Sequence, residues 1–327
     1  MNILVSGTSG MVGSALCDFL SKSGHQIVRL VRRKPRNQNE VRWSPTKGVI
    51  DIEALNNHTI DAVIHLAGEG IMGLSWDKKK KEAIKQSREL GTQALASALT
   101  QLDHQPHTFI SASAIGYYGN RGEETLTEMS DPGSAIHLRE RDKPFFLCDP
   151  NWGGDFLADT CIAWEKATNS AKNAGIRVVN MRIGFVIGKN GTAFKMMLPA
   201  FKAGVAGPIG NGQQYMSWIS LNDLVSSIGH VLNNEDIKGP VNAVSPNPVT
   251  NKEFTKELSK RAFILPFLGD SVNFIPVPGF LLKVSPIGEM ANALFLSSTK
   301  VKPVRLEETG YQFIHPTLPV ALKAELS

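Results

Sequence analysis

The chain has 327 residues, of which 42% are hydrophobic and 20% are charged, and its formal net charge is +5. These values are ordinary for a globular protein with a large core. Lysines and arginines are spread along the chain, so the positive charge suits a small anionic ligand better than a nucleic-acid partner, and we expect no nucleic acid. Three cysteines without a paired-cysteine motif argue against a disulfide framework and a zinc site, and we expect no bound metal.

The distribution of apolar residues predicts neither an export signal nor a membrane span. Residues 2–6 already have the apolar pattern of a strand, which leaves no room for a targeting peptide, and we expect a cytoplasmic protein. The most apolar stretch, residues 263–284, is interrupted by prolines and polar residues, so we expect no membrane span.

The first half of the chain alternates short apolar runs with amphipathic segments. We predict strands at residues 2–6, 26–32, 62–66, 108–113 and 177–183, and helices at residues 11–23, 78–100 and 155–173. Continuously apolar strands that alternate with helices are typical of a parallel sheet covered on both faces. We therefore predict an α/β fold with a Rossmann-type doubly wound parallel sheet.

The pattern changes near residue 188, after which proline and glycine become frequent. We predict a Rossmann domain over residues 1–188 and a smaller C-terminal α/β lobe on the substrate side over residues 189–327. A helix predicted at residues 221–232 is amphipathic, and we expect it to pack back on the main sheet.

A glycine-rich turn, Gly7-Thr8-Ser9-Gly10-Met11-Val12-Gly13, joins the first strand to the first helix. In this context Gly7 permits the tight turn, Gly10 lets the backbone approach a pyrophosphate, and Gly13 lets the helix pack close to the sheet. Phosphates would meet the free N–H groups at the positive end of the helix. The turn therefore predicts a dinucleotide site.

The second strand ends in Arg32 and Arg33, where NAD-preferring sites of this kind usually carry an acidic residue that binds the ribose 2′-hydroxyl. A charge-assisted hydrogen bond from arginine to a 2′-phosphate is worth roughly 1.5–3 kcal/mol. We therefore predict NADP as the cofactor, with NAD as the less favoured alternative.

Several segments together resemble the extended short-chain dehydrogenase/reductase superfamily, namely Gly7 to Gly13, His65-Leu66-Ala67-Gly68, Ser111-Ala112-Ser113 and Tyr117-Tyr118-Gly119. More specifically, the chain resembles the atypical "epimerase family" branch with a C-terminal domain of unknown function. The motifs of that branch are Ser87-Arg88 with Gly91-Thr92, Trp164-Glu165, Arg182-Ile183-Gly184, Lys302-Pro303 and Gly310-Tyr311-Gln312-Phe313.

The resemblance implies which residues hold the cofactor. The turn residues Gly7, Thr8, Ser9, Gly10, Met11 and Val12 would contact it. Arg32 would lie at the adenosine ribose, residues Leu66, Ala67 and Gly68 would pass under the adenosine half, and Ser111 would face the nicotinamide half. Arg88 takes the position of an asparagine that relatives carry on the long helix, so a cofactor contact is implied there too.

The catalytic set that the resemblance implies is incomplete. The superfamily pairs a serine with Tyr-x-x-x-Lys, in which the tyrosine exchanges a proton with the substrate and the lysine lowers its pKa. Ser113 matches the serine, but none of the four tyrosines is followed by lysine at the fourth position, and a phenylalanine takes the tyrosine position. Tyr117, on the neighbouring loop, is the candidate for the missing phenol, with packing as the alternative.

Residues 134–153 form a segment that relatives of this branch usually shorten greatly. It contains Phe145, Phe146 and Trp152, and it leads into the helix of the missing tyrosine. Long irregular segments are often functional, so a lid over the substrate is one interpretation and a surface excursion the other.

Two functions stay open at this point. The first is an NADP(H)-dependent oxidoreductase or epimerase that acts on a small molecule of unknown identity. The second is an NADP(H)-binding sensor or scaffold with little or no turnover, which the missing Tyr-x-x-x-Lys favours. A homodimer is also left open.

Overall fold

The computed structural model describes residues 1–73, 76–133, 156–204, 206–262 and 288–326. The insertion at residues 134–153 lies outside these ranges, and so does the apolar stretch at residues 263–284. Within the described ranges, no helix combines the length and the apolar character that crossing a membrane requires.

Eight strands form the central sheet, in the order β12-β8-β6-β5-β1-β2-β3-β4. Their bounds are β1 Asn2–Ser6, β2 Gln26–Val31, β3 Glu40–Ser44, β4 Val49–Ile50, β5 Ala62–His65, β6 Thr108–Ala114, β8 Arg177–Ile183 and β12 Gly239–Ala243. All neighbours pair in parallel except β3 and β4, which are antiparallel. The order places β1 in the middle and reverses there, as in a Rossmann-type doubly wound sheet, so the predicted fold class is confirmed.

Helices cover both faces of this sheet. They are α1 Met11–Lys22, α2 Ile52–Asn56, α3 Lys78–Leu99, α4 Phe156–Lys166, α5 Asn169–Asn173 and α7 Leu221–Asn233. Strand β1 shows the two-sided burial, because Ile3 and Val5 pack with helices α1 and α7 while Leu4 packs with the α3 side. The helix predicted at residues 221–232 does pack back on the sheet, together with the strand β12 that follows it.

The prediction of one continuous helix at residues 155–173 is wrong. Residues 156–173 form two helices, α4 and α5, with a break at Ala167 and Thr168. The Thr168 hydroxyl donates to the Glu165 carbonyl oxygen at 2.7 Å. This side-chain hydrogen bond takes the place of the backbone hydrogen bond that a continuing helix would make to the same oxygen, and α4 ends there.

The C-terminal lobe has its own apolar core, in which Phe194, Trp218, Phe254 and Leu322 are buried. The remaining helices are α6 Thr192–Lys202, α8 Asn251–Ala262, α9 Gly288–Ala291, α10 Val304–Glu308 and α11 Leu318–Leu326, of which α10 packs on the core of the central sheet through Leu306. The remaining short strands pair in twos: β9 Phe185–Ile187 with β11 Trp218–Ser220, β10 Tyr215–Met216 with β13 Val249–Thr250, and β7 Thr125–Leu126 with β14 Lys300–Val301. The division at residue 188 stays a prediction, since β12 and α7 come after it and belong to the central layers.

Candidate functional site

The turn after β1 packs tightly on the backbone that follows β5. Gly7 has a φ of 75°, a left-handed conformation that favours glycine, and a Cβ there would lie 2.8 Å from the Leu66 carbonyl carbon. A Cβ on Gly13 would lie 2.2 Å from the Gly7 carbonyl oxygen. These two glycines therefore allow the turn, the helix and residues 66–67 to meet at backbone distance.

Gly10 differs from its two neighbouring glycines because its outer side is open. Among the described residues, a Cβ there would meet only the Gly7 oxygen, at 3.4 Å. Gly10 is also the N-cap of α1, the first turn contains no acidic residue, and no side chain in the described part of the chain caps it. An uncapped helix N-terminus beside open space is a ready anion site, so these residues fit the pyrophosphate of a dinucleotide.

Arg32 and Arg33, at the end of β2, have different surroundings. Both guanidinium nitrogens of Arg33 donate to the Glu40 carboxylate, at 2.7 and 2.6 Å, and the Arg36 N–H donates to the same group at 2.7 Å. The hydrogen bonds from Arg33 lower the pKa of Glu40 to about 2. Arg32 is exposed and makes no hydrogen bond or salt bridge among the residues that the structure describes; the carboxylate near it there is that of Glu69, which Lys80 already holds. Of the two predicted 2′-phosphate contacts, Arg32 is the one that is free to bind.

Arg88 projects from α3 toward the loop after β5. Its Nη1 donates to the carbonyl oxygens of Glu69 and Ile84, at 3.0 and 3.1 Å. The guanidinium lies against Gly68, 3.5 Å from a Cβ built on that residue, and its carbon stands 4.9 Å from the Trp164 ring centroid. Burial lowers the pKa of this guanidinium. The position beside Gly68 suits a cofactor contact, which stays a prediction.

Ser113 is 2% exposed and its hydroxyl donates to the Glu165 carboxylate at 2.8 Å. Glu165 also receives two hydrogen bonds from Arg182, from Nε at 2.8 Å and from Nη2 at 2.9 Å. A bidentate pair of this kind fixes the orientation of the carboxylate. The sequence gives no local signal for the pairing of Glu165 with Arg182 of β8, because the two residues lie on different elements.

Tyr117 and Tyr118 extend the same network toward the C-terminal lobe. Arg182 donates from Nη1 to the Tyr118 hydroxyl at 2.9 Å, and that hydroxyl donates to Asn242 Oδ1 at 2.6 Å. The guanidinium carbon of Arg182 lies 3.5 Å from the Tyr117 ring centroid, a cation–π contact. Burial raises the pKa of Tyr117, so its half-buried phenol holds its proton at neutral pH.

The helix expected to carry the catalytic tyrosine and lysine presents other side chains to the Tyr117 loop. Leu157 and Cys161, one turn apart on α4, are the side chains nearest to Gly116, with Leu157 Cβ 3.2 Å and Cys161 Sγ 3.8 Å from a Cβ built there. Phe156 points elsewhere and packs edge-on against Trp76, with ring centroids 5.3 Å apart. Nothing on this face of α4 is a phenol or an ammonium group.

Ser111, expected at the nicotinamide half, is fully buried on β6 beside His65 of β5 and Asn180 of β8. Its hydroxyl makes a long hydrogen bond of 3.3 Å to the Ala112 carbonyl oxygen. Its cofactor contact stays a prediction. Among the described residues, no three side chains of histidine, cysteine, aspartate or glutamate are grouped to hold a metal ion.

A surface pocket of about 400 Å³ opens where α4 begins, and it is lined by Trp76, Lys78, Lys81, Glu82, Lys85 and Phe156. Lys81 pairs with Glu289 of the C-terminal lobe. The pocket has an aromatic floor of Trp76 and Phe156 and a rim of both charges.

Two family models match the chain. The NAD-dependent epimerase/dehydratase family matches residues 3–139, and a domain of unknown function, DUF1731, matches residues 277–325. Whole-length relatives are an epimerase family protein of Mycobacterium bovis, 36% identical over 98% of this chain and 96% of its own, and YfhF of Bacillus subtilis, 31% identical over 98% and 97%.

The chain belongs to this epimerase family.

Two solved structures extend the comparison. Human epimerase family protein SDR39U1 (isoform 2), solved with NADPH, is 27% identical with a TM-score of 0.79, and the match covers 100% of this chain and 99% of that one. A nucleoside-diphosphate sugar epimerase of Corynebacterium glutamicum is 31% identical with a TM-score of 0.76. This chain spans 58% of the length of the latter. The resemblance to the atypical extended short-chain dehydrogenase/reductase branch is therefore confirmed.

Proposed function

We propose that this protein is an NADP(H)-dependent oxidoreductase of the extended short-chain dehydrogenase/reductase type, which acts on a carbonyl or hydroxyl group of a small molecule. The observation that carries the proposal is the open, uncapped N-terminus of α1 at Gly10, beside the loop at residues 66–68. A relative of the same family was solved with NADPH, which supports the same cofactor here.

The preference for NADP over NAD rests on Arg32. Its exposed guanidinium stands at the end of β2 without a salt bridge among the described residues, since Lys80 pairs with the nearby Glu69, whereas Glu40 already holds Arg33. A 2′-phosphate offers Arg32 a charge-assisted contact that the 2′-hydroxyl of NAD does not.

When NADPH is bound it supplies a hydride, and the protein must supply the proton. Tyr117 is the candidate donor because its half-buried phenol lies on the loop that follows Ser113. Burial raises the pKa of this phenol, so it stays protonated but is a weak acid, and we expect slow proton transfer. Ser113 has given its own hydrogen to Glu165, so its oxygen offers a lone pair that would orient a substrate hydroxyl. In reduction, the substrate carbon would receive the hydride and its oxygen the phenol proton.

A first experiment is calorimetric titration with NADPH of the wild-type protein and of the Gly10→Val and Gly10→Ala variants. A branched side chain at Gly10 would fill the space of the pyrophosphate, so Gly10→Val should abolish binding and Gly10→Ala should weaken it less. Unchanged affinity of a folded Gly10→Val variant would move the cofactor site elsewhere.

A second experiment follows NADPH absorbance across a panel of carbonyls and nucleotide sugars. Turnover that falls in Ser113→Ala and Tyr117→Phe, with NADPH affinity unchanged, would support the proton-transfer assignment. Fast turnover in both variants would contradict it.

The alternative is an NADP(H) sensor or scaffold with little or no turnover. It is favoured by one specific observation, since Leu157 and Cys161 stand on the face of α4 next to the Tyr117 loop, where no phenol–ammonium pair is available. Tight NADPH binding without hydride transfer over the whole panel would support this function. The homodimer and the cytoplasmic location stay predictions, which light scattering and cell fractionation test.

A further inference from the structure

A buried hydrogen-bond chain lies directly beneath the proposed cofactor site. The last residue of β1, Ser6, contacts the last residue of β5, His65, with 2.6 Å between Oγ and Nδ1. On its other side, His65 Nε2 lies 3.0 Å from Oγ1 of Thr92 on α3. All three residues are fully buried.

Counting donors and acceptors fixes the direction of this chain. The Ser6 hydroxyl accepts from two backbone N–H groups, those of Leu66 at 3.1 Å and Ala67 at 3.2 Å. A hydroxyl has two lone pairs and one hydrogen, so Ser6 must donate that hydrogen to His65 Nδ1. His65 is then the neutral tautomer with its hydrogen on Nε2, and it donates to Thr92.

The surroundings of His65 agree with a neutral ring. It is enclosed by Trp43 and Phe109, with ring centroids at 5.8 and 6.4 Å. Burial alone lowers the pKa of His65 to about 4, with no charged group contributing.

The chain connects three segments of the candidate site. Ser6 immediately precedes Gly7, whose missing Cβ allows contact with Leu66. The two N–H groups that Ser6 holds belong to the loop at residues 66–68. Thr92 lies one helical turn from Arg88, whose guanidinium contacts Gly68 on the same loop.

We propose that His65 is a positioning residue for cofactor binding, because it holds the Ser6 hydroxyl in the orientation that fixes the backbone of residues 66–68 against the Gly7 turn. This inference rests on the proposed function, in which that loop passes under NADP(H). It assigns His65 no contact with the cofactor and no proton transfer.

Two substitutions at His65 separate its two hydrogen bonds. In His65→Asn, the side-chain oxygen takes the place of Nδ1 and can still accept from Ser6, while the bond to Thr92 is lost. In His65→Gln, the longer amide reaches the position of Nε2 and can still donate to Thr92, while the acceptor for Ser6 is lost. Each variant therefore serves as the control for the other.

The first measurement is NADPH affinity by calorimetry, with thermal unfolding recorded in parallel. We expect His65→Asn to bind within about threefold of the wild type and His65→Gln to bind about tenfold more weakly. Ser6→Ala removes the hydroxyl that accepts from both loop N–H groups and leaves the Leu66 N–H only its longer contact of 3.4 Å with the carbonyl oxygen of residue 6, so it should resemble His65→Gln. Equal affinities in the two His65 variants, or losses that only follow their melting temperatures, would overturn the proposal.

The second measurement needs no cofactor. Long-range ¹H–¹⁵N spectra of the histidine rings, assigned by the loss of one ring in His65→Asn, should show His65 protonated on Nε2 only. Hydrogen exchange at Leu66 and Ala67 should be faster in His65→Gln than in His65→Asn. A hydrogen on Nδ1, or equal exchange, would overturn the proposal. A wild-type protein that shows the expected tautomer and exchange but binds no NADPH would instead refute the proposed function.

Discussion

The two ends of the candidate site are built in different ways. At the cofactor end, the contacts that shape the site are made by backbone atoms, since the Gly7 turn, the start of α1 and residues 66–67 meet without intervening side chains. At the Tyr117 end, the contacts are made between side chains, in which Glu165 and Arg182 join strands and helices far apart in sequence. The first arrangement requires glycines at fixed spacing. The second requires only that the fold bring charged groups and hydroxyls within hydrogen-bond distance.

This difference predicts how the two ends respond to substitution. Substitutions at the backbone-built end should affect ligand binding first, because the space that the backbone leaves open there is the binding site. Damage to the side-chain network should affect stability first, because it leaves buried polar groups without partners.

The largest expected effect is on the side-chain network. Arg182→Leu would leave the Glu165 carboxylate buried and unpaired, since the two side chains are 4% and 13% exposed, and should lower the free energy of unfolding by about 3–5 kcal/mol. The double variant Arg182→Leu with Glu165→Leu should recover a large part of that loss. Urea denaturation measures both, and a loss under about 1 kcal/mol in Arg182→Leu would mean that the pair is not desolvated.

Acid should destabilise the cofactor end through His65. The folded pKa is about 4 and the unfolded value is near 6.5, so the folded state binds fewer protons between these values. The stability that the neutral ring permits is fully present above about pH 6.5 and is lost as pH falls toward 4, by up to about 3 kcal/mol. Comparing urea unfolding of the wild type and His65→Asn from pH 7 to 4 measures this, and parallel curves would exclude His65 as the cause.

The two glycines of the turn offer a matched pair of smaller effects. Gly13→Ala would place a Cβ 2.2 Å from the Gly7 oxygen, so overpacking should cost about 1–3 kcal/mol. Gly10→Ala meets only one atom, at 3.4 Å, and should change the free energy of unfolding by less than about 0.5 kcal/mol. Equal free energies of unfolding in the two variants would show that Gly13 is not closely packed against Gly7.

The last pair of variants concerns cofactor choice at the end of β2 and should have the smallest effect on stability. Arg32→Ala should reduce the NADP-over-NAD preference by about tenfold to a hundredfold with no loss of stability, whereas Arg33→Ala should leave most of the preference in place. Arg33 is the control because Glu40 already holds it. Calorimetry with both cofactors decides between them, and a larger effect in Arg33→Ala would reverse the assignment.

The parallel sheet and the Gly7 turn could be predicted because their sequence signals are local. Apolar periodicity indicates the strands of the sheet, and glycine spacing indicates the turn. The pairing of Arg33 with Glu40 could not be predicted, since a loop separates the end of β2 from β3, which begins at Glu40, and the sequence does not show how that loop folds back. The break at Thr168 was missed because a threonine at one point of an amphipathic run does not itself end a helix. The network around Arg182 was missed because its members are up to 124 residues apart.

The contrast between the two ends of the site requires that the Gly10 end bind NADP(H). Isothermal titration of the wild-type protein with NADPH and, separately, with NADH tests this directly. We expect one NADPH bound per chain, at least about tenfold more tightly than NADH. A folded protein that releases no heat with either cofactor, and whose melting temperature neither one raises, would contradict it.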